Sequence, residues 1–466
     1  MPSINKRSDV KAKRPRGQLL RVLGLTFGLA VIIGNTIGAG ILRTPGDVAA
    51  QLPRPGLFIG VWVLGGLYAL LGAISLAELG TMLPRSGGQY VYARRALGDY
   101  AGFIVGWSDW LSTCGTTAAV SLVIGEYLGV LFPALDGQSV AIALTVTLLF
   151  AALQWRGIEW GSRTQNVTSL LKTLAFVALI IACFALGGGN VQASDAPRLA
   201  TPTGLLFLLA LMKSLQAVIY TYDGWAGVLY FSEEVRDPAR DIPRSLFGGV
   251  LLIIAIYLLV NLALLYVLPV AQFAGKELAV GAAAQIIFGD YGDRVIRALV
   301  IVSLLSGINA YHLMATRVLF AMSRDGLFSM RAVRVNRGGT PTVALFVSAA
   351  VSVLFILQSR TFAKLIDALA FFFVANYAMS FLSLFILRRR APEAARPYRA
   401  WGYPWTTGLS LAGSLVFLAG AVAGDLAGET RSSLYALGLL VVSYPVYLLL
   451  RKMSGDDDDK STLPAR

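Results

Sequence analysis

The chain has 466 residues, of which 56% are hydrophobic and only 14% charged, against about 25% charged in an ordinary soluble domain, so a soluble enzyme is excluded. At about 20 apolar residues per bilayer crossing, twelve crossings need roughly 240 residues, over half the chain, and the composition describes a polytopic membrane protein. The excess of 40 Lys and Arg over 26 Asp and Glu, a net charge of +14, would suggest nucleic acid in a soluble protein, but these residues sit between apolar runs and read as topology determinants.

The first nineteen residues form a basic, polar tail retained on the cytoplasmic side, because the apolar segment that follows is far longer than a signal-peptide core. Apolar segments then recur at 20–43, 56–82, 98–131, 139–155, 166–187, 204–230, 246–268, 292–321, 341–358, 362–387, 406–425 and 431–450, which predicts twelve helices. With the N-terminus inside, 28 of the 40 Lys and Arg fall in inside segments and 9 in outside ones, while Lys172, Lys213 and Arg317 lie within spans. That bias places both termini in the cytoplasm and the protein in the inner membrane. Cys114 and Cys183 fall inside apolar stretches and there is one histidine, so neither a disulfide framework nor a metal centre is expected. No phosphate-binding G-x-x-x-x-G-K-[ST] loop is present, and no cofactor is expected. The DDDDK run in the final segment, 451–466, reads as a solvated acidic patch or an appended remnant without a role in transport.

Two segments are unusual for spanning helices. The first carries Gly34-Asn35-Thr36-Ile37-Gly38-Ala39-Gly40, where a continuous helix would prefer Leu or Ala. The sixth carries Tyr220-Thr221-Tyr222-Asp223-Gly224-Trp225, with a carboxylate and a glycine near mid-membrane. Five helices separate the two. Interrupted helices opening each of two five-helix halves, 20–187 and 204–387, point to an inverted-repeat transporter with a midplane binding site, followed by two further helices within 388–450. Close helix packing through small residues is the plainer reading of the glycines.

These residues resemble the amino acid–polyamine–organocation (APC) family. IIGNTIGAGILRTPG, 32–46, is similar to the family's first-helix signature, G-x-G-I-F followed by proline. PRSGGQYVYARRALG resembles its re-entrant cytoplasmic loop, and YTYDGWAGVLYFSEEVRDPARDIPRSL, 220–246, its broken sixth helix and exit. RVLFAMSRDGLF and RRRAPEAARPYRAWGYPW continue the match in order, closest to the L-type amino acid transporter branch and its bacterial relatives. The resemblance implies an all-α, LeuT-type 5+5 fold with broken helices 1 and 6, and a secondary transporter of amino acids working by alternating access. Ala39 stands where many members have Ser, Leu42 where Phe is common, and Ala226 where the L-type pattern often has Asn.

An amino acid zwitterion needs donors for its carboxylate and acceptors for its ammonium. Unwinding at Ile37, Gly38, Ala39 and Gly40 frees N–H groups at the positive end of the following half-helix. Unwinding at Tyr220 to Gly224 frees carbonyls at the negative end of the preceding one. The resemblance implies that these positions contact substrate. Asp223, a carboxylate at membrane depth, reads either as a holder of a cationic side chain or amine or as a group bonded to local backbone. Lys172 is a lone cation in helix five; in relatives a lysine at the matching position occupies the space where sodium-coupled transporters of this fold bind their cation. It either couples protons or is a charged strut fixing helix five against helices one and eight.

Tyr220, Tyr222 and Trp225 are candidate gates or packing residues. His312, near Asn309 on helix eight, is a candidate proton carrier or an interhelical bond. Asn376 and Tyr377 on helix ten resemble the family's polar-aromatic pair. Glu233, Glu234, Arg236 and Asp237 mark the exit of helix six, as an inner gate paired with basic loops such as that of Arg324, or as solvated charge. The expected partners are a small amino acid, protons as coupling ion and the lipid bilayer, with no nucleic acid and no obligate protein partner. The alternatives are a polyamine or cationic amine antiporter, a channel, or a transporter-like amino acid sensor.

Overall fold

The computed structural model describes residues 18–187, 199–358, 362–426 and 432–461. Most of the basic N-terminal tail and the last five residues therefore lie outside the described residues, as do the side chains of the DDDDK run. The described chain is helical throughout, with two isolated β-bridges and no strand.

The helices are α1 Leu25–Thr36, α2 Gly40–Gln51, α3 Pro55–Met82, α4 Gln89–Leu97, α5 Asp99–Leu131, α6 Ser139–Trp155, α7 Ile158–Leu186 and α8 Gly204–Tyr222. They continue as α9 Pro238–Val267, α10 Val270–Phe273, α11 Ala279–Phe288, α12 Gly292–Arg324, α13 Thr342–Gln358, α14 Phe362–Arg390, α15 Trp405–Leu426 and α16 Ser432–Ser461. Among the described residues, eight helices are long and apolar enough to cross a membrane, and the bent pair α1 and α2 makes nine. The 17-residue α6 and α13 are apolar but shorter. The protein is therefore an all-helical, multi-pass membrane protein.

Lipid-facing positions carry the exposed leucines, such as Leu170, Leu174, Leu205 and Leu206, while one continuous apolar core joins α1 to α12. In lipid this distribution arises from packing and polar satisfaction, since apolar side chains gain nothing by leaving hydrocarbon.

The first span does not stop at residue 43. It bends by 46° at Ile37–Ala39 and resumes to Gln51 through Pro45, because Val48 and Ala49 on α2 are fully buried and hold the extra turns in the core. The fifth and seventh spans begin eight residues earlier than their apolar runs, α9 with Pro238 in its first turn and the Asp237 carboxylate accepting from the Arg240 N–H. Pro without an N–H is well placed where a helix start leaves N–H groups unpaired, so these polar starts belong to the helices. The α10–α11 pair, unmarked in the apolar pattern, lies beside α2.

Candidate functional site

The end of α1 leaves four backbone carbonyls without helical partners, those of residues 34–37, and at membrane depth each must find a donor. All four do. The Lys172 ammonium on α7 donates to the Gly34 carbonyl at 2.9 Å and to that of Ile37 at 2.5 Å, and Ser303 on α12 donates to Ile37 at 2.8 Å. Tyr311 donates to the Asn35 carbonyl at 3.3 Å, and Tyr257 on α9 to that of Thr36 at 2.9 Å. Lys172 is buried, as are Ser169, Gln165 and Ser306 close by, which fasten the Ala30 carbonyl and one another. Gly34 has no room for a side chain, since a Cβ there would meet Gln165 Nε2 and Ser306 Oγ.

After the break the polarity reverses. The N–H groups of residues 38–41 take no backbone acceptor among the described residues, and the next engaged is Leu42, on the Ala39 carbonyl at 3.1 Å. A Cβ at Gly38 would meet nothing within 4 Å, so open space adjoins Gly38, whereas one at Gly40 would lie 3.1 Å from Thr221 Cγ2. The start of α2 is thus a group of free N–H donors at a positive helix end, suited to a carboxylate.

The second break follows α8. Asp223 leaves the helix, Gly224 takes φ +107°, and a short 3₁₀ turn, Gly227–Phe231, completes the span. Only glycine fits at 224, because a Cβ would sit 2.9 Å from the Asn35 backbone. The two breaks touch there: Asn35 Nδ2 donates to the Gly224 carbonyl at 3.1 Å. Tyr257 joins them again, its hydroxyl 2.9 Å from both the Thr36 and the Thr221 carbonyl. Half-buried Asp223 accepts from the Tyr377 hydroxyl on α14 at 2.8 Å, and the Tyr377 ring stacks on Trp225 with centroids 4.9 Å apart.

Between the breaks lies a narrow cavity with about 20 Å³ open to a water-sized molecule, walled also by α5, α12 and α14. Of the sequence candidates it brings together Asp223, Gly224, Asn376 and Tyr377. Ile37, Gly38, Ala39 and Gly40 form the adjoining break and do not line the cavity itself, and neither do Tyr220 and Trp225. Tyr222 points elsewhere: its hydroxyl donates to the Trp62 carbonyl at 3.2 Å and its ring packs on Tyr257.

Asn309 and His312 are also outside the cavity. Asn309 donates to Gly161 and Gln165 on α7 and accepts from Gln154 on α6, while buried His312 bonds the backbone of Thr147 on α6. Both tie α12 to its neighbours. The cavity also contains residues the sequence reading passed over, chiefly Asp109 on α5, with Asn35, Gln89, Tyr230 and Tyr311. A carboxylate ten residues into a 33-residue apolar helix is the same signal that marked Asp223.

At the end of the bundle bearing α4, the exit of the sixth span is sealed by charge. Arg317 forms a fully buried bidentate pair with Glu234, at 2.9 and 3.0 Å. Arg324 pairs with Glu233 at 2.8 Å, and Asp325 accepts from Arg85, Arg94 and Tyr90. Asp237 caps α9, and the Arg236 N–H donates to the Leu23 carbonyl, fastening the start of α1 to this exit. At the opposite end, Arg43 on α2 pairs with Glu277, and Gly275 donates to the Gly46 carbonyl.

A family model described as amino acid permease matches residues 19–444. The chain is 30% identical over 431 residues to the serine/threonine exchanger SteT of Bacillus subtilis (strain 168), covering 91% of this chain and 97% of that protein. It is 31% identical over 400 residues to the Asc-type amino acid transporter 1 of Mus musculus, covering 82% and 73%. It is 28% identical over 403 residues to the large neutral amino acids transporter small subunit 2 of Homo sapiens, covering 82% and 72%. Two broken spans meeting at a polar cavity, in a chain matched along nearly its whole length, are those of a membrane transporter and not an enzyme: the chain belongs to the amino acid permease (APC) family and is a secondary transporter of amino acids.

Proposed function

We propose that the protein exchanges amino acids across the cytoplasmic membrane without sodium, by alternating access around the two breaks. Both termini lie in the cytoplasm, ten of the twelve helical segments form two repeats, 20–187 and 204–387, and the last two helices lie within 388–450. The loops bearing most of the Lys and Arg, and with them the Arg324–Glu233 seal, then face inward. The substrate carboxylate is held by the free N–H groups at Gly38, Ala39 and Gly40, and its α-ammonium by carbonyls where α8 ends.

The observation that carries this reading is the Lys172 ammonium on the Gly34 and Ile37 carbonyls. Carbonyls at a helix break are the ligands a sodium ion would use, and here a covalently attached cation takes them. The relative named a serine/threonine exchanger supports exchange over net uptake. A second reading, antiport of a cationic amine, is favoured by Asp223 lining the cavity.

The test is counterflow in proteoliposomes. Labelled serine, leucine and lysine are offered outside, unlabelled amino acid or putrescine is trapped inside, and choline replaces sodium. The expected result is uptake that needs trapped amino acid and is indifferent to sodium. Uptake driven by a sodium gradient would overturn the exchange reading, uptake into empty vesicles under a pH gradient would assign proton symport instead, and exchange supported by putrescine alone would establish the amine antiporter.

A further inference from the structure

We propose that Asp109 is a second substrate-contacting carboxylate, and that the cavity is built for an amino acid whose side chain ends in a cation, an ammonium or a guanidinium. This rests on the exchanger reading above and names its substrate class. Asp109 is 2% exposed and sits on α5, across the cavity from the sixth-span break. Its Oδ1 accepts from the Tyr230 hydroxyl at 2.8 Å, while Oδ2 has no partner among the described residues.

Three more buried side-chain atoms around the same cavity are unpartnered: Asn35 Oδ1, Gln89 Oε1 and Asn376 Nδ2. The opposite ends of two of these amides are anchored, Asn35 Nδ2 on the Gly224 carbonyl and Asn376 Oδ1 by Ser108, which fixes what each presents to the cavity. Three of the four free atoms are therefore acceptors, one of them on a carboxylate.

No Lys, Arg or His lines the cavity, so among the described residues its walls hold no counter-charge for Asp109 or Asp223. Burying a polar atom without a partner is costly and burying a charged one more so, so the missing donors belong to the ligand. The α-ammonium that every amino acid carries goes to the carbonyls where α8 ends, so the buried carboxylate is left for a second cation. An ammonium with three N–H donors, or a guanidinium with five, matches this surplus of acceptors, whereas a serine hydroxyl offers one donor and no charge. Tyr230 contributes by positioning: its single proton on Oδ1 leaves Oδ2 free.

The test sets arginine against citrulline, which has nearly the same shape and lacks the charge. Wild-type protein is expected to prefer arginine by about tenfold or more, in counterflow and in ligand-induced thermal shift, as sites with buried polar groups reject analogues that leave them unpaired. Asp109→Asn is expected to lower the arginine-to-citrulline ratio about tenfold, and Tyr230→Phe, which keeps the carboxylate, about threefold. Wild-type protein that exchanges serine or leucine and shows no preference for arginine overturns the inference and leaves the exchanger reading standing. Wild-type protein that binds arginine over citrulline but exchanges nothing does the reverse. If Asp109→Asn does not fold, the wild-type ratio and Tyr230→Phe decide the matter, and an unchanged ratio in a folded Asp109→Asn overturns the inference.

Discussion

At the break after α1, the carbonyls of four consecutive residues are taken by side chains from α7, α9 and α12, and the principal donor is a buried cation, Lys172. At the break after α8 the charge is a carboxylate, Asp223, held by the neutral Tyr377 phenol and the Gly224 backbone N–H and half-buried at the cavity. The first break thus has its backbone acceptors taken by side chains and leaves N–H donors over, whereas the second leaves an acceptor over. A zwitterion laid across the pair meets donors on one side and acceptors on the other. In the exchanger reading proposed above, the difference separates two roles that a sodium-coupled transporter gives to one ion: Lys172 holds the carbonyls of the first break, and a ligand completes the second.

If that division holds, Lys172→Leu has the largest effect. It removes the only side-chain donor to the Gly34 carbonyl among the described residues and leaves Ile37 to Ser303 alone. Stranding a carbonyl at this depth costs several kcal/mol, so exchange should fall by about a hundredfold, with a lowered melting temperature in detergent. Counterflow within threefold of wild type would remove Lys172 from the account. Tyr257→Phe comes next, because its one hydroxyl proton serves both the Thr36 and the Thr221 carbonyl and so couples the breaks. Losing it costs about 1–3 kcal/mol, or roughly tenfold in exchange. Serine and lysine should be affected alike, since the hydroxyl touches backbone; an effect on one substrate only would mean that Tyr257 contacts the ligand.

Both breaks were legible from sequence because glycine and polar residues in an otherwise apolar chain are conspicuous, and Lys172 was legible as a lone charge in a span. What each side chain faces was not. Tyr222 and Asp223 are adjacent in sequence, but Tyr222 is the last residue of α8 and Asp223 leaves the helix, so Tyr222 turns to Trp62 while Asp223 reaches the cavity. Asn309 and His312 were read as candidates from residue type alone; only the packing of α12 against α6 and α7 turns them away. Asp109 is the converse. Its residue type gave the signal, but no backbone irregularity accompanied it, because α5 runs unbroken from Asp99 to Leu131. Helix ends posed a related difficulty: the polar first turns of α7 and α9 continue spans that hydropathy alone begins later.

The smallest effect is expected at the second break, from Asp223→Asn. The amide keeps an oxygen for the Tyr377 hydroxyl, and the Trp225–Tyr377 stack is untouched, so folding should be close to wild type. What changes is charge, at a position that is less buried than Asp109 and already bonded by the Tyr377 hydroxyl and the Gly224 N–H. Lysine exchange should therefore drop about threefold relative to leucine, less than the change expected at fully buried Asp109. Counterflow with both labels in one preparation gives the ratio directly. A loss larger than that of Asp109→Asn would place the cationic end of the substrate at the sixth-span break and not at α5, and an equal loss for leucine would mean that Asp223 serves the α-ammonium common to all amino acids.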